Sequence, residues 1–182
     1  MRWTAIALVA LLVGAGLACG QQKVEGSLDE ILDLTYQDIQ LRFAGDQIAV
    51  RWTRPRGSGE DAVLIVSEKL DGLVVRTGDY VNLAEPVPDF AVEALLADAG
   101  AVDGGMLPDG GIVSQQRGVV SRDVFNDPRK TFPLLSDGFM VLYTVPGDAG
   151  TLVRGSFSVT FQRCVDFGCG RTVFGDFKAT VQ

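Results

Sequence analysis

The 182-residue sequence predicts an all-β fold, an antiparallel β-sandwich or small barrel with at most one short helix. Three observations lead there. Short segments alternate apolar and polar residues along much of the chain, which is the period of a half-buried strand. Turn formers punctuate them closely, with 22 Gly and 7 Pro in all. A helical run is legible in one stretch, FAVEALLADA between Pro88 and Gly100. Two sheets, or one sheet closed on itself, let each apolar face bury against another.

Taken in chain order, Leu32, Leu34 and Tyr36 read as a first strand, or Asp29 to Leu34 starts as a short helical turn. Ile39, Leu41 and Phe43, then Ile48, Val50 and Trp52, alternate with polar or small residues around Gly45-Asp46. That pattern predicts a hairpin with one strongly apolar face and a more polar opposite face. PRGSGE at 55–60 reads as a loop, and the branched run Ala62–Val66 as a central strand. Asp71-Gly72 marks a turn, with Leu73–Thr77 as the returning strand and Tyr80–Leu83 as an extension of the sheet. Glycine-rich 101–111 is a loop, and 112–122 contains a strand weakened at Gly118. Phe139–Val145 is a strand closed by PGD at 146–148. Finally VRGSFSVTF at 153–161 echoes VFGDFKATV at 173–181. Both have one face pattern, so they are expected to pair antiparallel, with Phe157 opposite Phe177 and Phe161 opposite Val173. Gly155 and Gly175 would relieve crowding beside the rings.

The start of the chain has another character. Arg2, the unbroken apolar run Ala5–Val13 and the small residues Gly14–Ala18 follow the order of a secretory signal. The run falls short of the roughly 20 residues of a membrane span. This divides the chain into a signal at 1–18, a tether at 19–27 and a single β-rich domain at 28–182. Of the 16 Lys and Arg, only Arg2 leaves with the signal, so 15 remain against 23 acids, a formal charge of −8. Such a surface disfavours nucleic acid as a partner.

Gly16-Leu17-Ala18-Cys19-Gly20 resembles the end of a bacterial lipoprotein leader, with Gly16 where such leaders usually carry leucine. The resemblance covers about 20 residues and says nothing of the rest. It implies that Cys19 is acylated, palmitate included, and becomes the first mature residue, held in the lipid bilayer. Gly20, in place of an aspartate, implies the outer membrane. Each buried methylene contributes about 0.8 kcal/mol, so several chains anchor where one does not. Cleavage after Ala18 without acylation would instead give a secreted protein.

In TFQRCVDFGCGRTVFG, Cys164 and Cys169 sit at the closed end of the last hairpin. A redox pair wants two intervening residues at a helix start, and zinc wants about four ligands. Neither condition is met, and outside the cytoplasm a disulfide is the expected state. Closing so short a loop contributes about 2 kcal/mol.

The chain has no histidine, which removes Ser-His-acid and Cys-His mechanisms and histidine-metal sites. No catalytic residue, metal ligand or cofactor is therefore assigned. Ser67 with Lys69, or Ser114 with Lys130, is the nearest approach to a Ser–Lys dyad. The acids of 103–109 and 123–127 are the nearest to a calcium loop. Arg51, Arg54 and Arg56 around Trp52 form the candidate binding patch, suited to an acidic partner or to the protein's own acids. The function expected is a non-catalytic, lipid-anchored envelope protein whose β domain binds or assembles with an envelope protein or a glycan. A histidine-free hydrolase using paired carboxylates, and a small apolar-ligand carrier, are the alternatives.

Overall fold

A computed structural model describes residues 24–91, 113–144, 147–165 and 167–182. The signal, Cys19, most of the FAVEALLADA stretch and the acids of 103–109 lie outside those residues. The described residues hold eleven strands and no helix: β1 (Val24–Glu25), β2 (Asp38–Ala44), β3 (Gln47–Arg56), β4 (Gly59–Lys69), β5 (Tyr80–Asn82), β6 (Pro86–Ala91), β7 (Val113–Gln116), β8 (Gly118–Asp123), β9 (Leu135–Leu142), β10 (Leu152–Phe161) and β11 (Thr172–Val181). Nine form one sheet in the order β5-β9-β10-β11-β2-β3-β4-β8, with β1 also on β11, while β6 and β7 pair separately.

The all-β class holds, and the purely antiparallel expectation does not. β11 runs parallel to β2 through Thr180–Gln40 and Val181–Leu41, while every other ladder is antiparallel. The β2–β3 hairpin forms as read, its two-residue turn carried by Gly45 at φ 59°. The loop expected at 55–60 shrinks to Gly57-Ser58, because Pro55 and Arg56 continue the ladder with Glu60 and Gly59. Of the two readings of the first element the helical turn is the one observed: Leu32 N–H bonds Leu28 C=O, and Leu32, Leu34 and Tyr36 form no strand. Leu73–Thr77 does not return beside β4, since β8 occupies that edge. Pro86–Ala91 is a strand, so Phe90 and Ala91 do not open a helix.

The last hairpin pairs two positions away from the expected register. Phe157 faces Gly175 and Phe177 faces Gly155. Each ring thus lies opposite the other strand's glycine rather than opposite another ring, which solves the crowding that ring-to-ring pairing would create. The disulfide Cys164–Cys169 closes the loop beyond, at a Cα–Cα distance of 5.2 Å. Phe167 within that loop packs 5.8 Å from Phe132, whose ring stacks on Phe161.

One apolar core joins both halves of the large sheet. In strand order β3 and β10 are three steps apart, about 14 Å in a flat sheet. Yet the Trp52 ring lies 4.9 Å from Phe157 and 6.1 Å from Phe177. The sheet must therefore bend back on itself around the short β11–β2 junction. Both faces of β3 and β4 are buried from Gln47 to Thr53 and from Asp61 to Glu68, so the more polar face of β3, with Gln47, Arg51 and Thr53, is covered as well. Far from that junction a seam links the sheet's two ends. Leu83 N–H donates to Gly138 C=O of β9, and Leu83 C=O accepts from Gly118 N–H of β8. The Gln116 side chain reinforces it, donating to Leu135 C=O at 2.9 Å and accepting from Leu135 N–H at 2.7 Å.

Candidate functional site

The predicted basic patch is divided: Arg54 and Arg56 share Asp61, and Arg51 lies apart from them in the interior. Arg51 is 2 % exposed and belongs to the buried side of β3. Arg54 pairs with Asp33 and lies 3.6 Å from Asp61. Hydrogen bonds from Thr35 and Arg54 hold the Asp33 carboxyl down at about 2. Arg56 bonds Asp61 at 2.9 Å and lies over the Phe125 ring, 4.1 Å from its centroid. The protein's own acids meet Arg54 and Arg56.

Beside Arg56 lies an open groove of about 460 Å³ lined also by Glu60, Asp123, Phe125, Asp127 and Lys130. Asp123 and Asp127 are matched by cations of the chain, and Glu60 accepts from the Gln40 amide at 3.0 Å. Asp127 bonds Arg129 at 2.6 Å and lies 3.1 Å from buried Arg122. Those partners, Arg129 foremost, hold its carboxyl well below the usual range. Asp123 is paired with Lys130. These carboxylates are engaged by cations of the chain itself, and no metal-holding cluster occurs among the described residues. The imagined dyads do not form either: the Ser114 hydroxyl donates to Gln116 C=O, and Ser67 is buried.

Glu68 is the acid with an altered proton affinity in the opposite sense. It is 1 % exposed, opposite Ile48 and Gly118, and neither carboxyl oxygen has a hydrogen-bond partner. Burial pushes its pKa up to about 7, against the lowering field of Arg117. It is sealed in the sheet, away from solvent.

The surface that remains is the outer side of β5, β9, β10 and β11. β10 alternates strictly, with Val153, Phe157, Val159 and Phe161 inward and Ser156, Ser158 and Thr160 outward. An antiparallel sheet with one wet face produces this pattern. Onto that hydroxyl-bearing face project Tyr80, Tyr143 and Phe174, 61 %, 52 % and 42 % exposed. Tyr80 stacks on Phe139 with ring centroids 4.9 Å apart. The register sets Phe139, Ser158 and Phe174 in one line across three strands. Those two aromatic positions are therefore separated by about 10 Å, two strand spacings. The Tyr143 hydroxyl shares a 2.9 Å hydrogen bond with Ser156, which fixes that ring against the sheet.

None of these aromatics was among the residues predicted from sequence. A signal was there: in FMVLY, Phe139, Val141 and Tyr143 are apolar on the parity opposite to inward Met140 and Leu142. Phe174 likewise has the parity opposite to Phe177, Ala179 and Val181. The chain matches no family model, no curated protein and no solved structure.

Proposed function

We propose that this chain is a non-catalytic envelope protein, anchored by acylation of Cys19, that binds a polysaccharide on the outer face of β9–β10–β11. The supporting observation is the combination of separated, exposed or half-buried aromatics and intervening hydroxyls on one face of β9–β10–β11. A protein interface would call for a contiguous apolar centre. Here Ser158 lies between Phe139 and Phe174, and Ser156 holds Tyr143. Pyranose rings present the same mixture, apolar C–H faces that stack on aromatics and hydroxyls at their edges. The Phe139–Phe174 separation is comparable with a disaccharide repeat. A sheet bent on itself, sandwich-like, with Trp52, Phe157 and Phe177 in its interior leaves the ligand to the outside and gives the carrier alternative less support. The carboxylate-hydrolase alternative has less support among the described residues, where Glu68 is enclosed and the groove's Asp123 and Asp127 are engaged by cations.

Co-sedimentation with purified cell-wall sacculi tests the binding face. The wild-type domain is expected to pellet, and Tyr143→Ala and Phe174→Ala each to weaken binding about tenfold, roughly 1.4 kcal/mol. Both sites are exposed, so stability should change by no more than about 0.5 kcal/mol. Absence of wild-type binding, or variants that bind unchanged, would defeat the reading. The anchor is tested separately by Cys19→Ser. Lipid labelling should vanish and the protein leave the membrane fraction; a serine variant retained as before would rule acylation out.

A further inference from the structure

We propose that Glu68 is a proton-operated latch on the seam between the two ends of the sheet, closed when its carboxyl is protonated and released when it ionises. The argument rests on what surrounds it. Gly118, opposite Glu68 in β8, gives its N–H to Leu83 C=O, and Leu83 N–H in turn reaches Gly138 of β9. That approach is close: a Cβ on Gly118 would lie 3.0 Å from Leu83 Cα and overlap Leu83 Cβ. Leu83 thus lies directly against the β8 backbone at Gly118. Both Glu68 oxygens are enclosed without a donor, which a neutral carboxyl tolerates far better than a carboxylate does.

The cation whose field reaches Glu68 is Arg117, whose Nη1 and Nε donate elsewhere. Its Nη1 donates to Lys69 C=O at 2.8 Å and Leu70 C=O at 3.0 Å, and its Nε to Glu85 at 3.1 Å. β3 presents uncharged Ile48 opposite Glu68, and Lys69 follows with the opposite strand parity. Glu85, half exposed, lies on Arg117. Ionised Glu68 therefore has two routes to relief: water entering past a parted Gly118–Leu83 contact, or Arg117 exchanging Glu85 for Glu68. Each breaks the seam, because Arg117 N–H is itself bonded to Glu85 C=O. β5 runs directly into Leu83, so release also loosens Tyr80 on Phe139; this last link to the ligand face rests on the binding reading above, while the latch does not.

The sign follows from linkage. The closed seam binds a proton that the open one gives up, so opening grows as pH rises from the ordinary glutamate range to about 7, then levels off. Hydrogen exchange of the full chain, disulfide intact, reads this directly. Between about pH 5 and about pH 8, after correction for intrinsic base catalysis, exchange at the Leu83, Arg117 and Gly118 amides should rise by on the order of fifty- to a hundredfold. The β10 amides should show no such excess, and Glu68→Gln should abolish it at the seam. A wild type without the excess, or an E68Q protein that keeps it, would overturn the latch. Should E68Q not fold, the carbon-13 titration of the Glu68 carboxyl in the wild type decides. A midpoint near 7 with a concurrent shift of the Gly118 amide supports the proposal, and an ordinary glutamate midpoint, or a Gly118 amide that does not move with it, overturns it.

Discussion

Trp52→Ala is expected to remove about 3–5 kcal/mol of stability, the largest single-residue effect in the domain. The indole is fully buried and belongs to β3, yet its ring neighbours are Phe157 on β10 and Phe177 on β11. Truncation leaves a cavity between the two halves of the bent sheet, where neither half can collapse without straining the β11–β2 junction. Trp52→Phe should cost distinctly less. It keeps most of the ring, and it removes an indole N–H that has no hydrogen-bond partner. Urea unfolding followed by far-UV circular dichroism, with the slope compared between variants, measures both. A W52A protein within about 1 kcal/mol of the wild type would mean that the halves do not pack through this ring.

Gly155→Ala is expected to cost about 2–3 kcal/mol, although it adds one methyl group. The new Cβ would lie 2.9 Å from Phe177 Cε1 and overlap both Phe177 Cζ and the carbonyl oxygen of Val141. Rings on β11 and backbone on β9 thus close the space on two sides. Backbone strain plays no part, since Gly155 does not adopt a positive φ. A double-mutant cycle with Phe177→Leu separates the two obstacles. If the ring is the main one, the second substitution should cost less in the Gly155→Ala background than alone. Strict additivity would place the penalty on the Val141 carbonyl. Either result bears on register, because the same glycine is what lets Phe177 lie across from β10.

Local signals reached as far as hairpins. Gly45-Asp46 between alternating strands is a short-range instruction, and the β2–β3 pairing follows it. The last hairpin is legible too, but it pairs two residues away from the register its face pattern suggests. Equal face patterns fit both alignments, and only the volume of Phe157 and Phe177 against the facing strand selects ring opposite glycine. Leu73–Thr77 looked like a returning strand because of its apolar residues. The edge of β4 goes instead to β8, a partner some fifty residues later, for which no turn residue speaks. The same limit hid the candidate face. Tyr80, Phe139, Tyr143 and Phe174 come from separate stretches of the chain, each well along it from Arg51, Arg54 and Arg56.

The sequence alone determined that the chain is β-rich, which residues of β10 face inward, and that Cys164 and Cys169 lie close enough along the chain to be joined. These depend on strand parity and short-range geometry, which neighbours in sequence dictate. The tertiary structure decided that β11 lies parallel to β2, that both faces of β3 are covered, and that Glu68 is enclosed beneath Gly118 and Leu83. It also left the aromatic face of β9–β10–β11 bare. Such outcomes depend on which distant surfaces meet, and the long-range packing that brings Trp52 onto Phe157 has no local signature in the chain.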